Sequence, residues 1–564
     1  MAAIIGIDLG TSTTEVSVYR DGKPVLLPDG DGCFITPSVV GLDEEERIIV
    51  GRKAEEQYLL YPEKTAVEVK RMMGSGQKVY LGKNEYTPAE ISAEIISWAK
   101  SYAQEYLGEE INRAVITVPA YFTNDQRNET IEAGALAGLK VERIINEPTA
   151  AALCYGIDHM EEESHILVYD FGGGTFDVTL LEMFEGVLEV KAASGDNCLG
   201  GKDFDEKLIQ YFLGICRDKY GVDLKDDVYA MVKLKDSAVK CKIALSTQDS
   251  WELVLPLIAQ KDGNPISLQE TVTVEVFEEL IGELVERTKK AVDVVLKDGN
   301  IAADQVDKVL LVGGSTRVPC VKRYVAVLFG KEPEESVDPD LAVALGAGIQ
   351  SGILDGKINA QSGIMITDVA PYALGVRTAV DMGMYLDNNC LDILIPRNLT
   401  IPVTKKKRYY TGVPYQRECE IEVYQGEEAR ATDNIFLGKF LLSGIPPRPD
   451  CEAVEVEFSY DLNGVLKVTG KIVSTGREAS ITIETAKAVM EAEDLENWRK
   501  SPVAKKFRSS IRKAEKLLEG NLEEEDKEDL KELLQELKRG LIREADQTVL
   551  ENLEEELNDL MDFV

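Results

Sequence analysis

The chain has 564 residues and a formal net charge of −37, with 100 acidic against 63 basic side chains. That length calls for two or more domains, and that charge speaks against nucleic acid or an anionic membrane as partner. Two histidines, His159 and His165, and nine scattered cysteines without a C-x-x-C pair argue against a histidine triad, a zinc site or a disulfide framework.

The N-terminus enters an apolar strand almost at once, without the basic and apolar regions of a signal peptide. No run reaches membrane-spanning length, so a cytoplasmic protein is expected. The first strand, Ile4 to Leu9, carries Asp8. It is followed by Gly10-Thr11-Ser12 and by alternation through Val16 and Val18, the pattern of a hairpin with a bare tip. Short strands follow to about Val50, and then the block Val69-Lys70-Arg71. Thr87-Pro88-Ala89-Glu90 opens a helix as N-cap, N1 and N3, with Ile91, Ile95, Trp98 and Tyr102 on one face and Gly108 at its end. A strand over Ala114–Val118 stops at Pro119. A helix with Arg127 and a strand with Ile144-Ile145 come next, and Asn146-Glu147-Pro148 begins another helix.

The hairpin pattern then returns: Ile166 to Asp170, Phe171, Gly172-Gly173-Gly174-Thr175, Phe176, Asp177 and an alternating strand. Successive N–H groups at such a tip form an anion cradle, and carboxylates beside it make sense if a cation sits between. A lone triple glycine fits a ligand-free turn equally well. The repetition, with a third turn at Gly313-Gly314-Ser315-Thr316-Arg317, instead suggests a duplicated α/β unit that binds phosphates. The composition changes near Ile364 to Pro371. Short β runs with Gly, Pro and Asn turns fill 372–485, and Asn463-Gly464 marks a hairpin, so a β-sandwich is expected there. From Ala486 the chain is charged and helical, with Leu517, Leu518, Leu530, Leu533, Leu534 and Leu537 on helical spacing. A small solvated bundle is the expectation.

Six blocks in this order resemble a DnaK-type chaperone of the heat-shock-seventy family: Ile7–Thr11, Val118–Phe122, Arg143–Ala152, Asp170–Asp177, Leu199–Asp205 and Val312–Arg317. The short connection after Gly74, the long loop after Ala379 and the reduced tail are most similar to the small HscC-like bacterial branch. The resemblance implies an actin-like, duplicated ribonuclease-H-like ATPase domain over 1–363 and an interdomain linker over 364–371. It further implies a peptide-binding β-sandwich over 372–485 and a reduced helical lid over 486–564.

By position, it implies that Gly10, Thr11 and Ser12 face Gly172, Gly173, Gly174 and Thr175 across the phosphates. Asp8, Asp170 and Asp177 would hold Mg2+, mostly through water. Lys70, Glu147, Asp170, Thr175 and Asp8 would be catalytic. Gly200, Gly201, Lys242, Ser246, Gly313, Gly314, Ser315, Arg317 and Asp340 would frame the nucleotide. Pro119, Arg127, Arg143 and Asp368 would couple the domains, with Asp368 placed to pair with Arg143. Val376, Tyr409, Gly412, Cys419 and Ile421 would line the peptide site. The implied ligands are ATP or ADP with Mg2+, and K+ beside them. The implied partners of a monomer are unfolded polypeptides and a J-domain co-chaperone, with an exchange factor left open. Three departures from the family pattern predict weak nucleotide retention: Val239 for a glutamate, Lys202 for another, and a shortened segment before Tyr86 that trims contacts across the cleft. A sugar or acetate kinase, or a filament-forming protein of the actin type, would share the glycine hairpins but not the sandwich.

Overall fold

The computed structural model describes residues 3–159, 162–184, 186–261, 264–334, 336–358, 365–381, 386–483 and 504–518, with single positions between 530 and 561. Contacts divide the chain into two units, Met1–Ala486 and Lys487–Val564. Ile364, residues 484–503 and Leu533 lie outside the described residues.

The larger unit begins with a sheet ordered Lys140–Asn146, Arg113–Val118, Ile4–Leu9, Thr13–Arg20, Lys23–Leu26. Its first three strands are parallel and the rest antiparallel. A second sheet repeats the plan: Lys308–Val312 lies parallel to Ser164–Phe171, which pairs antiparallel with Phe176–Phe184, and that with Val187–Asp196. The two Asp-Gly hairpins therefore occupy equivalent places in two copies of one unit. Their central strands are buried along nearly their whole length, as strands covered on both faces must be. The predicted capping box is formed: Glu90 N donates to Thr87 Oγ1 at 3.1 Å and Thr87 N to Glu90 Oε2 at 2.7 Å. The helix Pro88–Leu107 then ends at Gly108, φ 69°.

Past the second copy, Met365–Val369 adds to the second sheet, parallel to Val187–Asp196. Two four-stranded antiparallel sheets follow. One is ordered Leu386–Ile395, Leu374–Asp381, Glu418–Gln425, Ile435–Ser443, and the other Val403–Tyr410, Ala453–Tyr460, Leu466–Ile472, Glu478–Ile483. Their alternating inner residues, among them Val423, Phe458 and Val468, form one core, so the sandwich expected from the turn pattern is present. In the smaller unit Phe507, Ile511, Ala514, Leu530, Leu534 and Leu537 share a separate core.

The helix Ala342–Leu354 packs on the Glu147–Gly156 helix and on the strands of the first sheet, and so brings the first copy together. Its run of small residues lets it lie almost against main chain: an ideal Cβ on Gly346 would stand 1.9 Å from the Ala150 carbonyl oxygen. Ala150 belongs to the helix Glu147–Gly156, whose first residue is a candidate catalytic group. Gly346→Ala must push these helices apart, at a cost of about 1–3 kcal/mol. A lower melting temperature in scanning calorimetry of the ligand-free chain is expected. An unchanged one would show that the close approach is not required.

Candidate functional site

The two glycine hairpins meet tip to tip. A Cβ on Gly173 would lie 2.5 Å from Ser12 Oγ, and one on Gly174 would lie 3.1 Å from both Thr11 and Arg71 side-chain atoms. Only bare backbone allows this approach. The third turn closes onto the second. Ser315 Oγ donates to the Gly172 carbonyl at 2.8 Å, and Gly313, at φ 81°, would set a Cβ 2.6 Å from the Phe171 carbonyl oxygen. The helix Gly201–Ile215 starts on the same tip, since Gly201 N donates to Gly172 O and Lys202 N to Gly173 O, each at 2.9 Å.

Beside this junction Lys242 is partly buried, donates to Gly201 O at 3.0 Å and pairs with Asp205 at 2.7 Å. Burial lowers the Lys242 pKa, and Asp205 opposes the shift. Ser246 follows one turn later and donates to Lys242 O at 3.0 Å. Arg317 is held by Asp340 at 2.6 Å and Asp338 at 2.7 Å. Gly201, Lys242, Ser315 and Gly172 thus converge, while Arg317 and Asp340 occupy the adjoining edge as a pair.

Below the tips lies a cluster of acids with one cation. Lys70 Nζ pairs with Glu147 Oε1 at 2.5 Å, both largely buried, and stands 5.5 Å from the centre of the Phe122 ring. Asp8 accepts from Thr117 Oγ1 at 2.6 Å. Asp177 accepts from Tyr121 N at 3.1 Å, and its other oxygen is buried without a hydrogen-bond partner. Burial raises all three aspartates, with Glu147 the next cause: Asp8 to about 6, Asp177 to about 7, and Asp170 well above its usual value. Lys70 opposes each shift without cancelling it. The excess negative charge and the orphaned oxygen fit a hydrated divalent cation. Among the described residues no three ligating side chains converge closely enough to bind an ion directly.

A polar chain leads from this cluster to the strand Met365–Val369. Arg127 donates to the Ala120 and Phe122 carbonyls at 3.0 and 3.2 Å and to Asn146 Oδ1 at 2.8 Å. Asn146 Nδ2 donates to Asp368 Oδ2 at 2.6 Å. The expected Arg143–Asp368 ion pair does not form. Asn146 takes that place because it precedes the Glu147 helix and points at the incoming strand, while Arg143 Nε is buried without a hydrogen-bond partner. Arg127 and Arg143 still favour the buried Asp368 carboxylate, though burial dominates and raises its pKa. Pro119 is buried where its strand ends, and its carbonyl accepts from Phe122 N at 3.2 Å.

The sequence reading also missed Asn463, whose Oδ1 accepts from Ile144 N at 3.0 Å, and Tyr372, whose hydroxyl donates to Tyr121 O at 2.5 Å. The Asn463-Gly464 turn signal located the hairpin but not what it touches. The five peptide-site candidates do not share one sheet. Val376, Cys419 and Ile421 lie in the first sandwich sheet, where Val376 and Ile421 are core residues. Tyr409 lies in the second and donates to Asp392 at 2.7 Å, and Gly412 is exposed beyond it. Cys419 and Tyr409 pack against the shared core. The reversed charge at Lys202 does not open the cleft: its ammonium pairs with Glu68 of the first copy at 3.3 Å.

The chain matches the family model described as Hsp70 protein over residues 4–79 and 75–563. It is 46% identical over 484 residues to "Chaperone protein DnaK" of Thermotoga petrophila, covering 85% of this chain and 80% of that protein. It is 45% identical over 496 residues to the protein of the same name from Thermotoga neapolitana, covering 87% and 82%.

The acid cluster has a measurable signature in nucleotide- and magnesium-free protein. A carboxyl that holds its proton more tightly folded than unfolded costs stability as pH rises. For Asp177 the window runs from its usual 3.8 to about 7. Asp177→Asn removes that dependence. Its stability relative to wild type should therefore rise between pH 5 and 8, on the order of 2–3 kcal/mol. Denaturant unfolding at the two pH values measures this. A constant difference would show that Asp177 is ionised throughout.

Proposed function

The chain belongs to the Hsp70 protein family, and from that premise we propose how its cleft and sandwich act together. It is an ATP-dependent chaperone that hydrolyses ATP and binds unfolded polypeptides, with a J-domain protein as co-chaperone. An actin-like ATPase domain and a β-sandwich domain go with that membership. We assign the first to 1–363, the linker to 364–371, the second to 372–485 and a lid to 486–564. The short segment after Gly74 and the long loop after Ala379 support a place in the HscC-like branch.

The main chain at Gly10, Thr11 and Ser12 and at Gly172 to Thr175 cradles the phosphates from two sides. Lys70 faces the transferred phosphoryl group, and Glu147 fixes the lysine and orients the attacking water. Phosphoryl transfer needs positioning and charge neutralisation more than a strong base, so the lack of a histidine at this site is no obstacle. Asp8, Asp170 and Asp177 would hold Mg2+ through water, and the bound ion would neutralise phosphate charge. Gly200, Gly201, Lys242, Ser246, Gly313, Gly314, Ser315, Arg317 and Asp340 frame the nucleoside, and K+ fits beside the phosphates. Pro119, Arg127, Asn146 and Asp368 carry the nucleotide state to the sandwich, with Arg143 as a second positive charge. Val376, Tyr409, Gly412, Cys419 and Ile421 mark the peptide side. The protein works as a monomer, without nucleic acid.

One observation carries this reading: the buried Lys70–Glu147 pair stands among three aspartates where two glycine hairpins meet. ATPase assays with and without an unfolded peptide and a J-domain protein test it. Both additions should stimulate turnover. Lys70→Ala should bind ATP yet lose about 10²–10³ in hydrolysis, since the group stabilises charge mainly in the transition state. Near-normal turnover in that variant would overturn the assignment.

A further inference from the structure

We propose that a cavity lined by both copies of the fold, apart from the glycine hairpins, binds an amphipathic anion: an unbranched apolar chain that ends in a carboxylate. Such a site goes beyond the nucleotide reading above and stands independently of it.

The cavity has a volume of about 430 Å³, within the range of about 300–1,000 Å³ that small-molecule sites occupy. One wall is a single face of the helix Val228–Leu245, where Val228, Met231, Val232 and Lys235 recur at helical spacing. The other wall comes from the first copy. Its short strands Thr65–Ala66 and Val79–Leu81 contribute Ala66 and Val79, and Met72 adds a thioether. Ala66, Val79 and Val232 are buried, so the floor is apolar and already formed. Met72 and Met231 are half-buried, and such side chains adapt to an irregular apolar surface. The Thr65 hydroxyl on this wall is already used, since it donates to Tyr61 O at 3.0 Å and accepts from Gln57 Nε2 at 3.2 Å.

The charged groups that line the cavity are all positive. Lys78, Lys225 and Lys235 line it and no acidic side chain does, in a chain with 100 acidic against 63 basic side chains. Acids close by in the sequence are engaged elsewhere. Asp227 caps the helix by accepting from Ala230 N at 2.9 Å, and Asp236 pairs with Lys240 at 2.6 Å. Lys78 pairs with Glu85 at 3.3 Å, whereas Lys225 and Lys235 form no ion pair among the described residues.

An apolar trough with two uncompensated ammonium groups is complementary to an apolar chain with a negative head. A lysine stem can lie along that chain while its ammonium reaches the head. A sugar or a nucleoside would instead leave its hydroxyls unpaired against Ala66, Val79 and Val232. A cationic amphiphile would meet the lysines with like charge. Lys225 and Lys235 are exposed, so replacing them leaves the core intact. Met72 is left alone, because it shares its turn with Lys70.

The experiment is calorimetric titration of dodecanoate into the full chain without nucleotide, in wild type, Lys225→Gln, Lys235→Gln and the double variant. Wild type should bind with a Kd between about 10 μM and 1 mM. The double variant should bind about three- to ten-fold more weakly, and each single variant by less. Decanoate, two methylenes shorter, should bind wild type about four- to fifteen-fold more weakly than dodecanoate. Dodecyltrimethylammonium should not bind there, and a saturating unfolded peptide should leave the dodecanoate affinity unchanged. Absence of binding below about 1 mM would overturn the site. So would equal affinity in the double variant, equal affinity for dodecyltrimethylammonium, or displacement of dodecanoate by the peptide. Each of these results would leave the ATPase reading untouched.

Discussion

The edge of the second sheet at Val187–Asp196 offers a row of main-chain groups that need a partner, and Met365–Val369 supplies it. The pairing is short, from Val187↔Met365 to Glu189↔Thr367. Beyond it the chain carries Asp368 into a site where the residue is only 8% exposed. A buried carboxylate needs hydrogen bonds and nearby positive charge. Asn146 and Arg127 provide them, and Asn146 adjoins Glu147, which holds Lys70. The position of one short strand is thereby tied to the Lys70–Glu147 pair.

The tie is also weak enough to be undone. Burial still raises the Asp368 pKa after both arginines have acted, and Arg143 Nε lacks a partner. A few strand hydrogen bonds with an incompletely satisfied polar cluster are the mark of a segment that opens locally, below the free energy of global unfolding. The sandwich adds separate footholds on the ATPase portion. Arg397 pairs with Asp298 at 3.1 Å, and Asn398 donates to Asp298 at 2.8 Å and accepts from Ala193 N at 3.3 Å. Polar contacts of this kind can be exchanged for water at little cost, unlike the apolar cores on either side of them.

Much of this was legible in the sequence because it rests on local chemistry. Asp-Gly-Thr tips after apolar strands, the Thr87 capping box and the Asn463-Gly464 turn each specify their element within a few residues. What escaped depends on partners far apart in the chain. Nothing in the Ala342–Leu354 segment says which helix its glycines meet, and nothing near Asp368 distinguishes Asn146 from Arg143 as its partner. Lys202 read alone is a reversed charge. It becomes a cross-cleft contact only when the fold brings Glu68 to it. The glycine tips and the Lys70–Glu147 pair were flagged by local motifs, whereas Val376 and Ile421 were placed by position in a sandwich whose inward and outward faces the sequence did not separate.

The central claim is that the strand at 365–369 docks or detaches with the nucleotide. Hydrogen exchange of those amides, measured on the full chain with ATP and then with ADP, tests it most directly. The account predicts protection with ATP and exchange at least about ten-fold faster with ADP, as local opening of a short edge strand requires. Equal protection in the two states would contradict it.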